Sequence, residues 1–196
     1  MNTLKAEKRN MQTKAKRLRR KGFVTGNVFG KEIQGSIPIQ MTKKDVEVLL
    51  KSAGKGSRIV LDISGENRNV LIKEIDYDSM KHQVLEIDFQ ELIKGEKVHS
   101  SAEVVLLNHD KVTSGIVELD LQEILYRALP EALVEKVEID LNNRKVGDEI
   151  KVKDLAIASD KEIELQTNPE ETVVRIVQPR NTTIPEEETD DTDGEM

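Results

Sequence analysis

The feature of the sequence that most limits its fold is a series of short segments in which apolar and polar residues alternate. The clearest pair is RIVLDI (58–63) and NVLIKEI (69–75), and the linking SGENR supplies the turn residues Ser64, Gly65 and Asn67. Two alternating segments joined by such residues predict a β-hairpin. Further strands are predicted by the same pattern over 3–9, 23–29, 33–39 and 83–89.

Two of these strands carry charged residues beside an apolar face. In 3–9, Leu4 and Ala6 alternate with polar residues, which predicts a half-buried strand with Arg9 on its solvent face. In 83–89, strict alternation divides the strand into a buried face and a face with two carboxylates. The predicted buried face is Leu85, Ile87 and Phe89, and the other face is Val84, Glu86 and Asp88.

One segment has a clear helical pattern. Thr42 can cap its start, with Asp45 three residues later as a capping-box acid, and Gly54 can end it. A second, shorter helix is predicted just before Gly22, where Lys and Arg are concentrated. The longer helix is expected to close the end of a sheet or barrel, because its apolar residues share one face: Val46, Leu49, Leu50 and Ala53.

The second half of the chain, after a boundary near 91–96, is again rich in predicted strands. For 121–128 strand and helix are equally favoured, since Leu121, Ile124, Leu125 and Ala128 have helical spacing and Pro130 would stop a helix. The other segments predict strands over 98–108, 114–128, 134–141, 148–157, 162–166 and 171–179.

Charge is divided unevenly along the chain. Residues 1–95 hold 19 Lys and Arg against 12 Asp and Glu, a net charge of +7, whereas 96–196 hold 11 against 25, a net charge of −14. Nine of the basic residues lie within 5–21, where Glu7 is the only acid. This concentration favours contact with nucleic-acid phosphates. A nuclear-localisation tract or a membrane-surface segment are the alternatives, but a membrane helix needs an apolar stripe and Leu18 stands alone.

The last sixteen residues, 181–196, hold seven acids and no basic residue. This composition predicts a disordered acidic tail. An electrostatic lure or a mimic of nucleic acid is the less favoured interpretation.

Several function classes lack support in the sequence. There is no Cys, so disulfides and thiolate metal sites are excluded. No apolar run approaches the roughly 20 residues of a membrane span, and the expected location is the cytoplasm. His82, His99 and His109 lack metal-ligand spacing, and Glu86 with Asp88 lacks a partner for acid–base work. We therefore expect no catalytic residues, no metal, no cofactor, no small-molecule substrate and no membrane partner.

The order of motifs resembles a known family of RNA-binding proteins. KRLR (16–19), Gly22 and TGNVFG (25–30) resemble segments of the bacterial 5S-rRNA-binding large-subunit ribosomal protein twenty-five family, and 71–92 fits its strand, turn and H-x-D-F frame. In the second half, ALPEALVEKVEIDL, VGDEIKVKDL and NPEETVVRIVQPR resemble the long two-domain form, the general stress protein CTC. The resemblance covers about 1–180.

The resemblance implies a fold, a function and partners. The fold is mainly β with a few helices: an RNA-binding small β-barrel domain over 1–93, a β-rich domain over 94–180 and an acidic tail over 181–196. The partners are the loop E region of 5S rRNA and the large ribosomal subunit, with a monomer off the ribosome. The residues that the resemblance assigns to the RNA interface are Arg9, Lys14, Lys16, Arg17, Arg19, Arg20, Phe29, Lys73, Glu86 and Asp88.

The sequence departs from the family pattern where the family faces RNA. Phe29 replaces a Tyr, Glu86 replaces a His, and Thr25 replaces a Pro. Asp76 and Asp78 stand where a Gln and a His are usual. Two interpretations remain: either 5S rRNA binding persists through the basic segment, or the chain is a divergent paralogue that keeps the fold and acts as a stress-related or protein-interaction module.

Overall fold

The first half of the protein forms a closed six-stranded barrel. The computed structural model describes residues 2–112 and 115–179. Neighbouring strands follow the order β1-β3-β2-β6-β5-β4, and the parallel pairing of β1 with β4 closes the barrel. The strands are β1 (Thr3–Lys8), β2 (Phe23–Phe29), β3 (Ser36–Thr42), β4 (Arg58–Ile63), β5 (Glu66–Asp78) and β6 (Gln83–Glu91).

The predicted alternation explains the barrel interior. Side chains that point inward are almost completely buried, whereas their sequence neighbours face solvent or the helices. Each such aliphatic or aromatic side chain contributes about 1.5–3 kcal/mol when it leaves water. The best buried include Leu4, Val28, Ile39, Leu61, Ile72 and Phe89, each 0–1% exposed.

Two helices flank the barrel, α1 (Ala15–Arg20) and α2 (Lys43–Leu50). Thr42 caps α2 as predicted, because its Oγ1 accepts a hydrogen bond from the Asp45 backbone N–H at 3.2 Å. Val46 and Leu49 pack into the barrel core, so the helix closes one end. The predicted end at Gly54 is wrong: the helix stops at Leu50, and the following turn still buries Ala53.

The hairpin of β4 and β5 is confirmed, but its turn is tighter than predicted. Ser64 and Gly65 have φ values of 56° and 97°, as a two-residue type I′ turn requires. Asn67 therefore belongs to β5 and pairs with Asp62. Likewise, the strand predicted over 33–39 lies three residues later, at Ser36–Thr42.

The alternation predicted for 83–89 fails at Leu85. The pairs Asp76–Glu86 and Tyr77–Val84 are consecutive on β5 but skip one residue on β6, so Leu85 is the extra residue of a β-bulge. Val84 consequently packs against the core with Ile87 and Phe89 rather than lying on the carboxylate face. No sequence periodicity reveals a bulge, since the alternation before and after it is normal.

The second half of the described chain contains two further sheets. One has the order β10-β7-β9-β12 and the other β11-β13-β8, and they enclose a second apolar core. A four-residue helix, α3 (Ala156–Ser159), and short 3-10 turns at 109–111, 130–132 and 152–154 connect them. The strands are β7 (Val98–Leu107), β8 (Ile116–Leu119), β9 (Glu123–Ala128), β10 (Lys136–Asp140), β11 (Glu149–Lys151), β12 (Ile163–Leu165) and β13 (Thr172–Val177).

Three predictions for this half need correction. The ambiguous segment 121–128 forms a strand, β9, because pairing with β7 and β12 overrides its helical spacing. The single strand predicted over 114–128 is two strands, β8 and β9, in different sheets. The strand predicted over 148–157 ends at Lys151, whose N–H donates to Asp154 Oδ2 at 3.0 Å and starts a turn. The predicted acidic tail lies outside the described residues.

The barrel and the second pair of sheets meet at the loop that precedes β4. Lys55 forms an ion pair with Glu123 at 2.7 Å, and the Arg58 guanidinium donates to the Pro130 carbonyl. Gly56, with φ 84°, lies so close to the second half that a Cβ there would be 2.3 Å from the Ser101 carbonyl oxygen. The junction therefore depends on the close packing of the Gly56 backbone against the Ser101 carbonyl as well as on the Lys55–Glu123 ion pair.

Candidate nucleic-acid interface

Helix α1 presents a group of cations on the surface of the barrel. Leu18 is its one buried residue, 6% exposed, and it anchors the helix, which packs against β2. Gly22, with φ 84°, ends the segment in the left-handed conformation that glycine adopts without strain. The cations surround this anchor and, among the residues that the structure describes, none of them forms an ion pair: Lys14, Lys16, Arg17, Arg19, Arg20 and Lys21.

The turn between β5 and β6 places an ion pair, Asp78 with Lys81, beside this helix. Asp78 accepts hydrogen bonds from the backbone and side chain of Lys81, and these bonds hold the pKa of the Asp78 carboxyl below its usual range. Lys81 thus contributes little net charge. A shallow depression of about 470 Å³ lies between this turn and α1, lined by Lys16, Arg19, Arg20, Asp78, Lys81, Gln83 and Leu85.

Arg9 supports the loop that precedes α1. The prediction that it lies on the solvent face of a strand is wrong. The strand β1 ends at Lys8, and the Arg9 backbone N–H donates to the Pro38 carbonyl at 2.9 Å. One guanidinium nitrogen, Nη2, donates to the Thr13 carbonyl at 3.2 Å, and Nε is buried without a partner among the described residues. Arg9 therefore holds the loop that leads into α1.

The outer face of β2 and β6 places Glu86 and Asp88 around one amide. Asn27 Nδ2 donates to Glu86 Oε1 and to Asp88 Oδ1, both at 3.1 Å. The Asn27 backbone N–H also donates to Asp88 Oδ1 at 3.2 Å. Phe29, two residues further along β2 on the same face, is half-buried beside Gln90.

The strand β5 brings two more carboxylates to this face. Glu74 lies directly opposite Asp88, and Asp76 lies directly opposite Glu86. We call Glu74, Asp76, Glu86 and Asp88 the acidic quartet. Of these four residues, Glu74 is the one that the sequence pattern did not predict at the interface. Asn27 was not predicted either, although alternation along FVTGNVF puts it on the face of Phe29.

Lys73 lies apart from the other predicted RNA-binding residues. It is the extra residue of a second bulge in β5, between Ile72 and Glu74, and its Nζ donates to the His99 carbonyl at 2.7 Å. Burial lowers the pKa of the Lys73 ammonium, and the positive charge of Lys55 lowers it further. The structure thus brings the α1 cations together and Glu86 with Asp88 together, but puts Lys73 at the junction.

The two surfaces can do different chemistry. Unpaired cations on α1 attract phosphates and release counterions, which gives affinity without sequence preference. Carboxylates of the acidic quartet accept hydrogen bonds from base or ribose donors but repel phosphates. Within 2–112 and 115–179, no three His, Cys, Asp or Glu side chains are arranged to hold a metal ion. None of the helices in these residues has the length and apolarity that a membrane crossing requires.

Comparison with known proteins gives matches over most of the chain. Residues 4–89 match the Ribosomal L25p family, and residues 97–180 match the family described as Ribosomal protein TL5, C-terminal domain. The chain is 32% identical over 173 residues to the large ribosomal subunit protein bL25 of Enterococcus faecalis, an alignment that spans 87% of this chain and 83% of that protein. The protein of the same name from Caldanaerobacter subterraneus is 29% identical over 189 residues, or 95% and 94% of the two chains.

Proposed function

The chain belongs to the Ribosomal L25p family, in the long form with a TL5-type C-terminal domain, and from this premise we propose that it is a large-subunit ribosomal protein that binds 5S rRNA. This membership confirms the resemblance drawn from the sequence. It also confirms that the chain is not an enzyme, because the family is one of ribosomal proteins. We also propose that the protein is cytoplasmic and a monomer off the ribosome.

The observation that carries the proposal is the group of unpaired cations on α1. Six Lys and Arg residues lie between 14 and 21, and no described carboxylate neutralises them. Structured RNA is recognised by shape, minor-groove edges and phosphates, so a rigid cationic helix beside a strand face is a suitable surface. We assign the phosphates that flank loop E of 5S rRNA to α1, and the groove edge to Asn27, Phe29, Glu86 and Asp88.

The division into two domains is supported by the distribution of charge along the chain. We propose that residues 1–93 act as the RNA-binding barrel domain and residues 94–180 as a second domain that contacts neighbouring ribosomal components. The net charges of +7 over 1–95 and −14 over 96–196 support this division, because RNA would repel the second half.

The test is a binding titration of the full chain with 5S rRNA over a series of salt concentrations. We expect tight binding at low salt and a steep fall in log affinity with log salt. The double variant Arg17→Ala, Arg20→Ala should weaken binding to all RNAs and reduce the salt slope by about 1–2. The matched control is Lys43→Ala, Lys44→Ala on α2, which removes two charges elsewhere.

Two outcomes would contradict the proposal. One is no binding of the full chain to 5S rRNA at low salt. The other is an equal effect of the α1 and α2 double variants, which would mean that α1 is not the contact surface. A 5S rRNA without loop E serves as the specificity control, and equal affinity for it would remove the assignment to that loop.

A second candidate function is favoured by the acidic quartet. Four carboxylates on the face assigned to RNA are unfavourable for a phosphate-rich ligand. In this alternative the chain is a divergent paralogue, related to the general stress protein CTC, that acts as a stress-related or protein-interaction module without stable 5S rRNA binding. Absence of 5S rRNA binding together with a normally folded chain is the result that would favour it.

A further inference from the structure

The depression between α1 and the β5–β6 turn combines cations with one amide and one apolar side chain. Its volume of about 470 Å³ is in the range of ligand sites in proteins. Cations of α1 form one wall, and the turn with the start of β6 forms the other. We call it the α1–β6 depression, and the two residues of β6 that line it are Gln83 and Leu85.

Leu85 lines the α1–β6 depression because of the bulge in β6. Regular alternation would put it inside the barrel with Ile87, but it is the extra residue of the bulge, and Val84 packs against the core instead. Bulges redirect side chains and are frequent beside functional sites. The completely buried Thr25 supports this one, since its Oγ1 donates a long hydrogen bond to the Leu85 carbonyl at 3.4 Å. The half-buried Leu85 side chain therefore offers an apolar patch to a ligand.

Gln83 adds a side-chain amide to this patch. It is half-buried, and its amide forms no hydrogen bond with another side chain in the part of the chain that the structure describes. An amide offers both donors and an acceptor. Among the bases, adenine matches this pattern, because its N7 accepts one hydrogen bond while its N6 amino group donates another. The amide therefore favours an adenine whose edge is not already paired.

The opposite wall of the depression carries two guanidinium groups, those of Arg19 and Arg20. Arg19 is half-buried against the barrel, and neither group forms an ion pair with a carboxylate of the described residues. A guanidinium binds phosphate through paired hydrogen bonds and also stacks on the plane of a base. This wall therefore suits the charged part of a nucleotide, whereas the β6 wall suits its base.

The turn at the edge of the depression is held in place by its own hydrogen bonds. Asp78 Oδ1 accepts from the backbone N–H groups of Met80 and Lys81, each at 3.1 Å, and Asp78 Oδ2 lies 3.2 Å from Lys81 Nζ. Asp78 is the one carboxylate that lines the depression, and Lys81 neutralises it. A ligand therefore meets a preformed, net positive site, which lowers the ordering cost of binding.

We propose that the α1–β6 depression binds one unpaired adenine nucleotide, with its base against Leu85 and Gln83 and its phosphate on the arginines of α1. The inference rests on the proposed RNA binding by α1 and adds base selectivity to it, since contacts to phosphates carry none. Sequence-specific recognition of RNA targets unpaired bases, because a splayed-out base exposes both a face and a free edge. The nucleotide can belong to an RNA chain or be free AMP, and the experiments below separate these sources.

The test compares two RNA hairpins that differ by a single unpaired adenosine in the stem, each titrated with the full chain at one salt concentration. Both hairpins offer the same stem phosphates to α1. We expect the Kd for the hairpin with the unpaired adenosine to be about tenfold lower, because a paired amide contact gives discrimination of this size. An unpaired uridine, or a purine riboside without the N6 amino group, should lose most of this gain. Equal Kd values for the two hairpins would overturn the proposal.

Variants of the β6 wall separate this contact from a structural role. Gln83→Met keeps the length of the side chain without its hydrogen-bonding groups, and it should bind both hairpins with the Kd of the fully paired one. Leu85→Ala should weaken the preference for any unpaired base, because the apolar contact is lost. The control Gln34→Met, an exposed residue of the β2–β3 loop, should keep the tenfold preference. Affinity for the fully paired hairpin shows that each variant is folded. A preference that survives both β6 variants would contradict the proposal.

A titration with AMP distinguishes the two sources, followed by the NMR signals of the Gln83 side-chain amide and the Leu85 methyl groups. If AMP shifts them with a Kd close to that of the hairpin with the unpaired adenosine, the occupant is a free nucleotide. If only the hairpin shifts them, the occupant belongs to RNA, and shifts with neither ligand would overturn the proposal. Binding of RNA without the preference would leave the proposed function of α1 standing. Absence of binding to every RNA would overturn that function, and the AMP titration would then decide this inference.

Discussion

Asp76 on β5 lies directly opposite Glu86 on β6, with both carboxylates on the face that we assign to RNA. Like charges directly opposite each other on neighbouring strands destabilise a sheet by about 0.2–1 kcal/mol. Asn27 offsets this for Glu86, because its Nδ2 donates to Glu86 Oε1. Asp76 has no such partner among the described residues. The acidic quartet therefore costs stability and opposes phosphate at once.

Removing one charge of this pair should improve both properties. In Glu86→Gln the side-chain oxygen can still accept from Asn27, so only the charge is lost. We expect urea unfolding to show a gain of about 0.2–1 kcal/mol, and 5S rRNA titrations to show tighter binding. Glu32→Gln, an exposed acid in the β2–β3 loop, is the control. Equal effects of the two variants would mean that the position of Glu86 is irrelevant.

Asn27 should be coupled energetically to Glu86. Asn27→Ala removes the donor shared by Glu86 and Asp88 and should cost about 0.5–1.5 kcal/mol in urea unfolding. In a double-mutant cycle with Glu86→Ala, the cost of the second change should be smaller than in the unaltered protein. Strictly additive costs would show that the hydrogen bond contributes nothing to stability.

Gly56 should be less replaceable than Gly35. Both have φ 84°, so alanine at either position bears the cost of the left-handed conformation. At Gly35 nothing lies within 4 Å of a new Cβ, whereas at Gly56 the Ser101 carbonyl oxygen would be 2.3 Å away. We expect Gly56→Ala to lower the free energy of unfolding by about 1–3 kcal/mol more than Gly35→Ala. Equal losses would mean that the junction adapts freely.

The Tyr126 hydroxyl should support the second core. Tyr126→Phe leaves the N–H and carbonyl of Val134 without their partner, at an expected cost of about 1–3 kcal/mol in urea unfolding. Phe fills the same volume, so this loss reports on the hydrogen bonds alone. A loss below a few tenths of a kcal/mol would show that water replaces the hydroxyl.

The same hydroxyl should make stability depend on alkaline pH. Burial raises the pKa of the Tyr126 hydroxyl above its usual value, which is about 10. At a pH between about 10 and the raised pKa of the folded protein, this hydroxyl has lost its proton in the unfolded chain but keeps it in the folded chain. Stability from this group is therefore complete below pH about 10 and falls as the pH rises further. Urea unfolding over this range should show a steeper fall for the unaltered protein than for Tyr126→Phe.

Local pattern predicted much of the barrel and of the basic helix. Alternation located all six barrel strands to within three residues at either end and, with the turn residues Ser64 and Gly65, predicted the β4–β5 hairpin. The capping pair Thr42 and Asp45 predicted the start of α2. These succeeded because they depend on neighbours along the chain. The helical spacing of 121–128 did not predict the structure, because this segment forms a strand only by pairing with β7 and β12, which are distant in sequence.

By itself, the sequence determined the mainly β class, the cationic segment 14–21 and the resemblance that family membership confirmed. Composition, periodicity and motif order depend only on the order of residues along the chain. Only the tertiary structure decided which charges meet. The bulge at Leu85 and the bulge at Lys73 each shift a strand by one residue, and strand pairing puts Glu74 opposite Asp88. Side-chain direction in a sheet has a period of two, so a single extra residue reverses the face that follows it.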